Sequence, residues 1–253
     1  MSEADQDQEQ PFISHLVELR TRILRMVVGI LVVFAVLAPF SNRIYSYVAG
    51  PLLAHMPEQT SMIAIDVVSP FLTPLKLSLM LAVFIAMPWV LFQAWAFVAP
   101  GLYKREKRLA VPLLVSSVAL FYFGMAFAYY IIMPIFFAFL TGTAPDGVAV
   151  MTDINLYLSF VLTLFLAFGV SFEVPIATVM LVLAGATTPD ALASKRPYVI
   201  IGAFVLGMLL TPPDVISQTL LAIPMWLLFE VGILFSRILL RRRSATQRDV
   251  SQS

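Results

Sequence analysis

Seven uncharged intervals divide this 253-residue chain: 26–42, 77–103, 109–145, 154–172, 174–189, 197–213 and 215–229. A helix needs about 20 predominantly apolar residues to cross a bilayer, with roughly 17 to 25 usual. Hydrocarbon offers the backbone no hydrogen-bond partner, so a spanning segment must satisfy its own N–H and C=O groups, as a helix does. Composition agrees: 12% of the residues are charged, against about 25% in a soluble domain. The expected fold is all-α and integral to a membrane.

Glu173 interrupts 154–189 and leaves two readings, one long helix or two short spans. Cation placement decides between them, because Lys and Arg collect on the cytoplasmic side of a membrane protein. Arg20, Arg22 and Arg25, the 104–108 strip, Lys195 with Arg196, and Arg237 with Arg241–Arg243 flank the spans. Between them, 41–71 holds only Arg43, and 141–153 and 211–217 hold no cation. Six spans put every basic flank on the cytoplasmic side, with both termini there; a seventh would put Arg241–Arg243 outside. The expected organisation is a cytoplasmic segment 1–22, a six-span domain 23–240 and a cytoplasmic tail 241–253. Approximate spans are 23–40, 76–98, 109–138, 154–184, 198–211 and 215–236. The opening residues carry Glu3, Asp5, Asp7 and Glu9, unlike the basic start and short apolar core of a cleavable signal peptide, and are read as a retained soluble tail.

Helix lengths are unequal. Tyr198 to Leu210 extends only about 20 Å at 1.5 Å per residue, against a hydrocarbon core of about 30 Å. Pro88, Pro112, Pro134, Pro175 and Pro224 lie inside or near the ends of spans. Each lacks a backbone donor and favours a bend, so bent helices and a concave wall are expected. The segment 41–75 is expected to hold one or two short helices over the outer ends of the spans, interrupted at Gly50-Pro51.

Polar residues within or beside the spans are few. Glu173 lies about 29 Å along a helix counted from Ile154, and reads either as an interfacial or basic-paired acid or as a polar point facing a ligand or partner helix. Asp214 is placed to cap the sixth helix, Gln218 to hydrogen-bond between helices, and Glu230 to serve structurally at the interface. No cysteine occurs, and the two histidines, His15 and His55, lie outside the spans. That excludes thiol chemistry, a metal cluster and an intramembrane Ser–His pair. With no phosphate-binding glycine loop either, no enzyme is expected, and neither cofactor nor metal. Net charge of +1 gives no general attraction to nucleic acid. A proton-coupled secondary transporter using Glu173 is the competing reading.

Six motifs then stand in order: HLVELRTRI from His15, SPFLTPLKL, WAFVAPGLYKREKR, SFEVP, KRPYV and GMLLTPPDVISQTLLAIPM. Together, over about residues 10 to 240, they resemble the TatC family, multispanning receptors of the twin-arginine translocase that exports folded proteins across the bacterial plasma membrane. The resemblance implies a glove-shaped, concave six-helix fold and a cytoplasmic site where Glu18 and Glu106 receive the signal peptide's arginine pair. Leu19, Arg20, Phe97, Tyr103, Lys104 and Arg105 would surround it. Glu173 would be the buried acid of the fourth helix, Met208, Leu209, Thr211 and Gln218 would face the single-span partners TatB and TatA, and Pro51 would belong to an assembly loop. Further copies of the chain and membrane lipid are implied partners, and proton-motive force the energy source.

The resemblance changes the reading of KREKR. Lys104, Arg105, Lys107 and Arg108 are explained by topology, and Glu106 taken alone by local neutralisation, a surface pair worth about 0–1 kcal/mol. Its place in the family motif, with Glu18 as a second acid, makes it instead a candidate reader of arginine.

Overall fold

In a computed structural model, residues 3–53, 62–63, 68–98, 110–142, 152–210 and 215–251 are described. The chain divides into two compact units, the first drawn from 1–57 and 64–102 and the second from 58–63 and 103–253.

The first unit is a helical pair with a short connecting helix. Helix α1, Glu3–Leu37, runs from the polar start into the first apolar interval without a break. The segment read as a retained soluble tail is thus helical from Glu3 onward, continuous with the first apolar helix and passing through Pro11. A 3-10 turn, Ala38–Phe40, leads into α2, Ser41–Leu53. Helix α2 passes through Gly50-Pro51, where an interruption was expected. The usual clash before proline involves the preceding Cβ, which Gly50 lacks.

Helix α3, Ser69–Val98, contains Pro74 and Pro88. It meets α1 where Gly29 faces Trp89: a Cβ on Gly29 would lie 2.5 Å from Trp89 Cδ1. Trp89 Nε1 donates to the Arg25 carbonyl at 3.0 Å. The missing side chain therefore lets the indole lie against α1 and reach its backbone.

The second unit holds α4 (Ala110–Phe127), a π-helical turn (Ala128–Ile132), α5 (Met133–Gly142), α6 (Ile154–Ser171), α7 (Val174–Leu183), α8 (Pro189–Ser194), α9 (Arg196–Leu210) and α10 (Val215–Ser251). Strands β1, Met62–Ile63, and β2, Thr152–Asp153, pair in parallel with Met62 opposite Thr152 and Ile63 opposite Asp153. Asp153 then caps α6, its Oδ1 accepting from the Leu156 N–H at 2.9 Å.

The expected bends are selective. Pro134 follows the π turn, in which the Met133 N–H reaches back to the Ala128 carbonyl; a proline ring crowds the carbonyl four residues earlier, and the wider turn accommodates it. Pro175 follows the break between α6 and α7 at Phe172 and Glu173, which both keep right-handed helical dihedrals. The break therefore bends the span without reversing it, and 155–183 remains one apolar crossing. Pro112 sits in the first turn of α4, where a missing N–H costs little, and Pro224 lies within the unbroken α10.

Glycine and aromatic side chains set the close contacts. Gly169 faces the Phe121 ring between α6 and α4, and Gly124 faces the Phe168 carbonyl and the Phe172 ring. Gly232 on α10 faces Thr178 and Pro175 of α7, beside a cluster of Val182, Leu192, Phe229 and Ile233. Among the described residues, five helical stretches are long and apolar enough to cross a membrane, whereas α9, with 15 residues, is shorter.

Gly185, at φ 72°, ends α7. The Ala186 N–H bonds the Leu181 carbonyl at 3.0 Å and the Gly185 N–H the Val182 carbonyl at 3.1 Å, closing the helix end before Thr188 caps α8 through the Ala191 N–H. Gly185→Ala should cost about 1 kcal/mol, because Cβ meets the carbonyl oxygen in the left-handed region. Thermal melting of the purified chain in detergent should show the lower midpoint, and an unchanged midpoint would refute the strain.

Candidate functional site

On α1, Glu18 and Arg22 stand four residues apart, the spacing that stacks side chains on one helix face. Arg22 Nη2 lies 2.9 Å and Nε 3.2 Å from Glu18 Oε1. The same guanidinium reaches α3, with Nη1 3.2 Å from Gln93 Oε1 and Nη2 3.2 Å from the Ala96 carbonyl. Four of these contacts use most of the five N–H donors of an arginine. Gln93 is 2% exposed, so its amide is a fixed acceptor. Side-chain exposure is 19% for Arg22 and 36% for Glu18. The cation is the anchored member of the pair, and the carboxylate is the reachable one.

Of the residues expected around this carboxylate, Leu19 and Arg20 are exposed on α1. Phe97 is half-buried on α3, one residue beyond the Ala96 carbonyl that holds Arg22. Tyr103, Lys104, Arg105 and Glu106 lie outside the described residues. Arg22 and Gln93 were not among the expected site residues. Two signals pointed to them: the Glu-x-x-x-Arg spacing in ELRTR, and a lone amide in the uncharged interval 77–103.

A second polar point lies in the other unit. Ser117 Oγ, fully buried on α4, donates to Glu173 Oε2. Oε1 of Glu173 is buried and has no hydrogen-bond partner among the described residues. The partner seen for this acid is therefore a hydroxyl and not the basic side chain that was one of its two readings.

Along α9, Met208 and Leu209 are 52% and 73% exposed. Gln218, in the first turn of α10, lies against Gly207 of α9, where an added Cβ would sit 3.4 Å from Gln218 Cα, in ordinary van der Waals contact. Thr211 and Asp214 lie outside the described residues, so the expected cap does too, and Pro51 is in α2. Glu230 is gripped by a two-pronged fork from Arg196, Nε to Oε1 at 2.5 Å and Nη2 to Oε2 at 2.7 Å. Arg237 instead meets Asp190 at 2.9 Å.

Comparison with known proteins gives a consistent result. The family model described as Sec-independent protein translocase protein (TatC) matches residues 14–224. The chain is 57% identical to the Sec-independent protein translocase protein TatC of Azotobacter chroococcum, over 98% of both chains. It is 59% identical to that of Escherichia coli K12, over 90% of this chain and 88% of the relative. A crystal structure of a twin-arginine translocase receptor, TatC, superposes with a TM-score of 0.80 at 38% identity, over 88% of this chain and 98% of that one. The solute-transporter alternative finds no support in these matches. From the six motifs in sequence to the matched fold, the observations agree that this chain belongs to the TatC family of Sec-independent protein translocase proteins.

Proposed function

We propose that Glu18 receives an arginine of a twin-arginine signal peptide, with Glu106 as the second acid. The observation that carries this reading is the half-exposed Glu18 carboxylate held by an anchored Arg22. Arginine's planar fork matches a carboxylate in two-pronged geometry, and two acids divide two arginines between them. Leu19, Arg20, Phe97, Tyr103, Lys104 and Arg105 complete the surroundings in this proposal.

Membership in the family makes the chain a multi-pass membrane protein and a non-enzymatic receptor subunit of the translocase. We further propose the plasma membrane as its location, with segment 1–22 and tail 241–253 cytoplasmic and six spans in 23–240. The distribution of cations supports this topology. TatB and TatA are the proposed partners at Met208, Leu209, Thr211 and Gln218, with Glu173 as a polar point for a partner helix and the Pro51 segment in contact with further copies of the chain. Proton-motive force drives export in this scheme.

The test is photocrosslinking from positions 18 and 106 to a twin-arginine peptide in membranes, together with capture of the peptide by Glu18→Gln and Glu106→Gln. Each substitution keeps side-chain size and removes the charge that strengthens the hydrogen bonds, so capture should fall by about tenfold or more. Undiminished capture by both variants would reject the site, and undiminished capture by Glu18→Gln alone would reject Glu18 as an acceptor.

A further inference from the structure

We propose that Arg22 makes the Glu18 site select arginine over lysine. This inference rests on the reading of Glu18 as the acceptor of a peptide cation, and adds the residue that sets which cation is accepted.

Arg22 is firmly held. Its Nη1 is tied to the buried Gln93 amide and its Nη2 to the Ala96 carbonyl, in addition to its two bonds to Glu18. It is the less exposed partner of the pair. A guanidinium with three separate acceptors does not leave when a ligand arrives, so the ligand must bind a carboxylate that already has a cation beside it.

Two consequences follow for an incoming positive group. The first is electrostatic. An arginine stays charged throughout the physiological range, and at 2.9 Å Arg22 cancels most of the field of Glu18 beyond the pair. A compact ammonium gains little from long-range attraction and is repelled by the neighbouring guanidinium. The second is geometric. Both bonds from Arg22 end on Oε1, and Oε2 accepts no hydrogen bond among the described residues. What the site retains is directional acceptor capacity. An arginine fork exploits direction, and it is less strongly hydrated than an ammonium, so it loses less on leaving water.

Other cations on the helix do not supply this effect. Arg20 is two positions from Glu18 and off its face. Arg25 is exposed a further turn along, where its carbonyl accepts from Trp89. A purely structural explanation for Arg22, a clamp of α1 onto α3, accounts for the Gln93 and Ala96 bonds. It predicts changes in stability and no change in preference between two cations.

The experiment therefore reads a ratio. Equilibrium binding of a twin-arginine peptide and its twin-lysine counterpart is measured on the full-length chain in membranes, for the wild type, Arg22→Gln, Arg22→Lys, Gln93→Leu and Glu18→Gln. Arg22→Gln should tighten twin-lysine binding and lower the arginine preference by about tenfold, because the neutralising charge is gone and a point charge regains its attraction. Arg22→Lys, which keeps the charge but loses the fork that reaches Gln93 and Ala96, should lower the preference by about threefold, less than Arg22→Gln. Gln93→Leu keeps the charge but frees one tether, and should lower the preference by about threefold as the pair loosens. It serves as the deciding variant if Arg22→Gln does not fold.

An unchanged ratio in Arg22→Gln, or in Gln93→Leu when Arg22→Gln is not folded, would overturn the proposal and leave Arg22 a clamp. Equal binding of both peptides by the wild type would also overturn it. Glu18→Gln separates the two ideas: retained binding of the twin-arginine peptide there defeats the acceptor reading itself, whereas lost binding with an unchanged ratio in the Arg22 and Gln93 variants defeats only the selection by Arg22.

Discussion

Gly232→Leu is expected to lower the thermal midpoint of the purified chain more than any other single substitution considered for α10. A Cβ at this position would lie 2.0 Å from Thr178 Oγ1 and 2.9 Å from Pro175 Cα. The hydroxyl does not simply rotate away, because Thr178 Oγ1 donates to the Pro175 carbonyl at 2.8 Å. The second obstacle is backbone, and it moves only if α7 moves. Association of helices in lipid rests on close van der Waals packing between small residues, so forcing α7 and α10 apart also loosens Val182, Phe229 and Ile233, which pack beside them.

A cost of about 3 kcal/mol, the upper part of the overpacking range, is expected. Thr178→Ala should recover part of the loss in the double variant by removing the oxygen, and the contact with Pro175 should keep the remainder. Gly202→Ala is the control, since a Cβ there meets nothing within 4 Å and alanine favours a helix over glycine. Melting of Gly232→Leu indistinguishable from that control would refute the close crossing.

Phe121→Ala should be comparably severe, for the opposite reason. Phe121 is 0% exposed, and its ring fills the space that Gly169 leaves open: a Cβ on Gly169 would lie 2.6 Å from Phe121 Cε2. Truncation removes the ring and leaves a cavity between α4 and α6, at a cost of about 3–5 kcal/mol. Gly169→Ala alone should destabilise through overlap with the ring. In the double variant the new methyl enters the vacated space, and the pair should be coupled by about 0.5–3 kcal/mol in the favourable direction. The three atoms nearest that Cβ all belong to Phe121, so the coupling has one identifiable source. Strict additivity in a double-mutant cycle of unfolding in detergent would show that ring and glycine do not share the site.

Much of the fold was legible in the sequence. Uncharged intervals and their lengths led to an all-helical membrane chain, and the brevity of 198–210 led to a helix too short for an easy crossing, as α9 is. The proline positions were only half informative. Pro134 and Pro175 accompany breaks, whereas Pro224 lies in an unbroken helix, because the cost of a missing donor depends on what neighbours and turns can absorb. The helicity of the first residues was not legible from their polarity for a related reason. Polarity reports where a segment is solvated, and a solvated segment remains free to continue a helix.

At the site, the motif named Glu18, and only the i, i+4 spacing within it hinted at the residue that holds it. Arg22 was legible as a topological cation and Gln93 only as an isolated amide. Likewise Glu230 was read as interfacial and structural, and the sequence did not name its partner, Arg196 on another helix. Hydropathy and charge count are local properties, summed along the chain, and they marked out the long apolar helices and the segments between them that carry positive charge. Which side chains meet depends on the rotation and approach of helices that are far apart in sequence. Only the tertiary structure brought Arg22 to Gln93, 71 positions away, and so decided that the acid of the receptor motif stands beside an anchored positive charge.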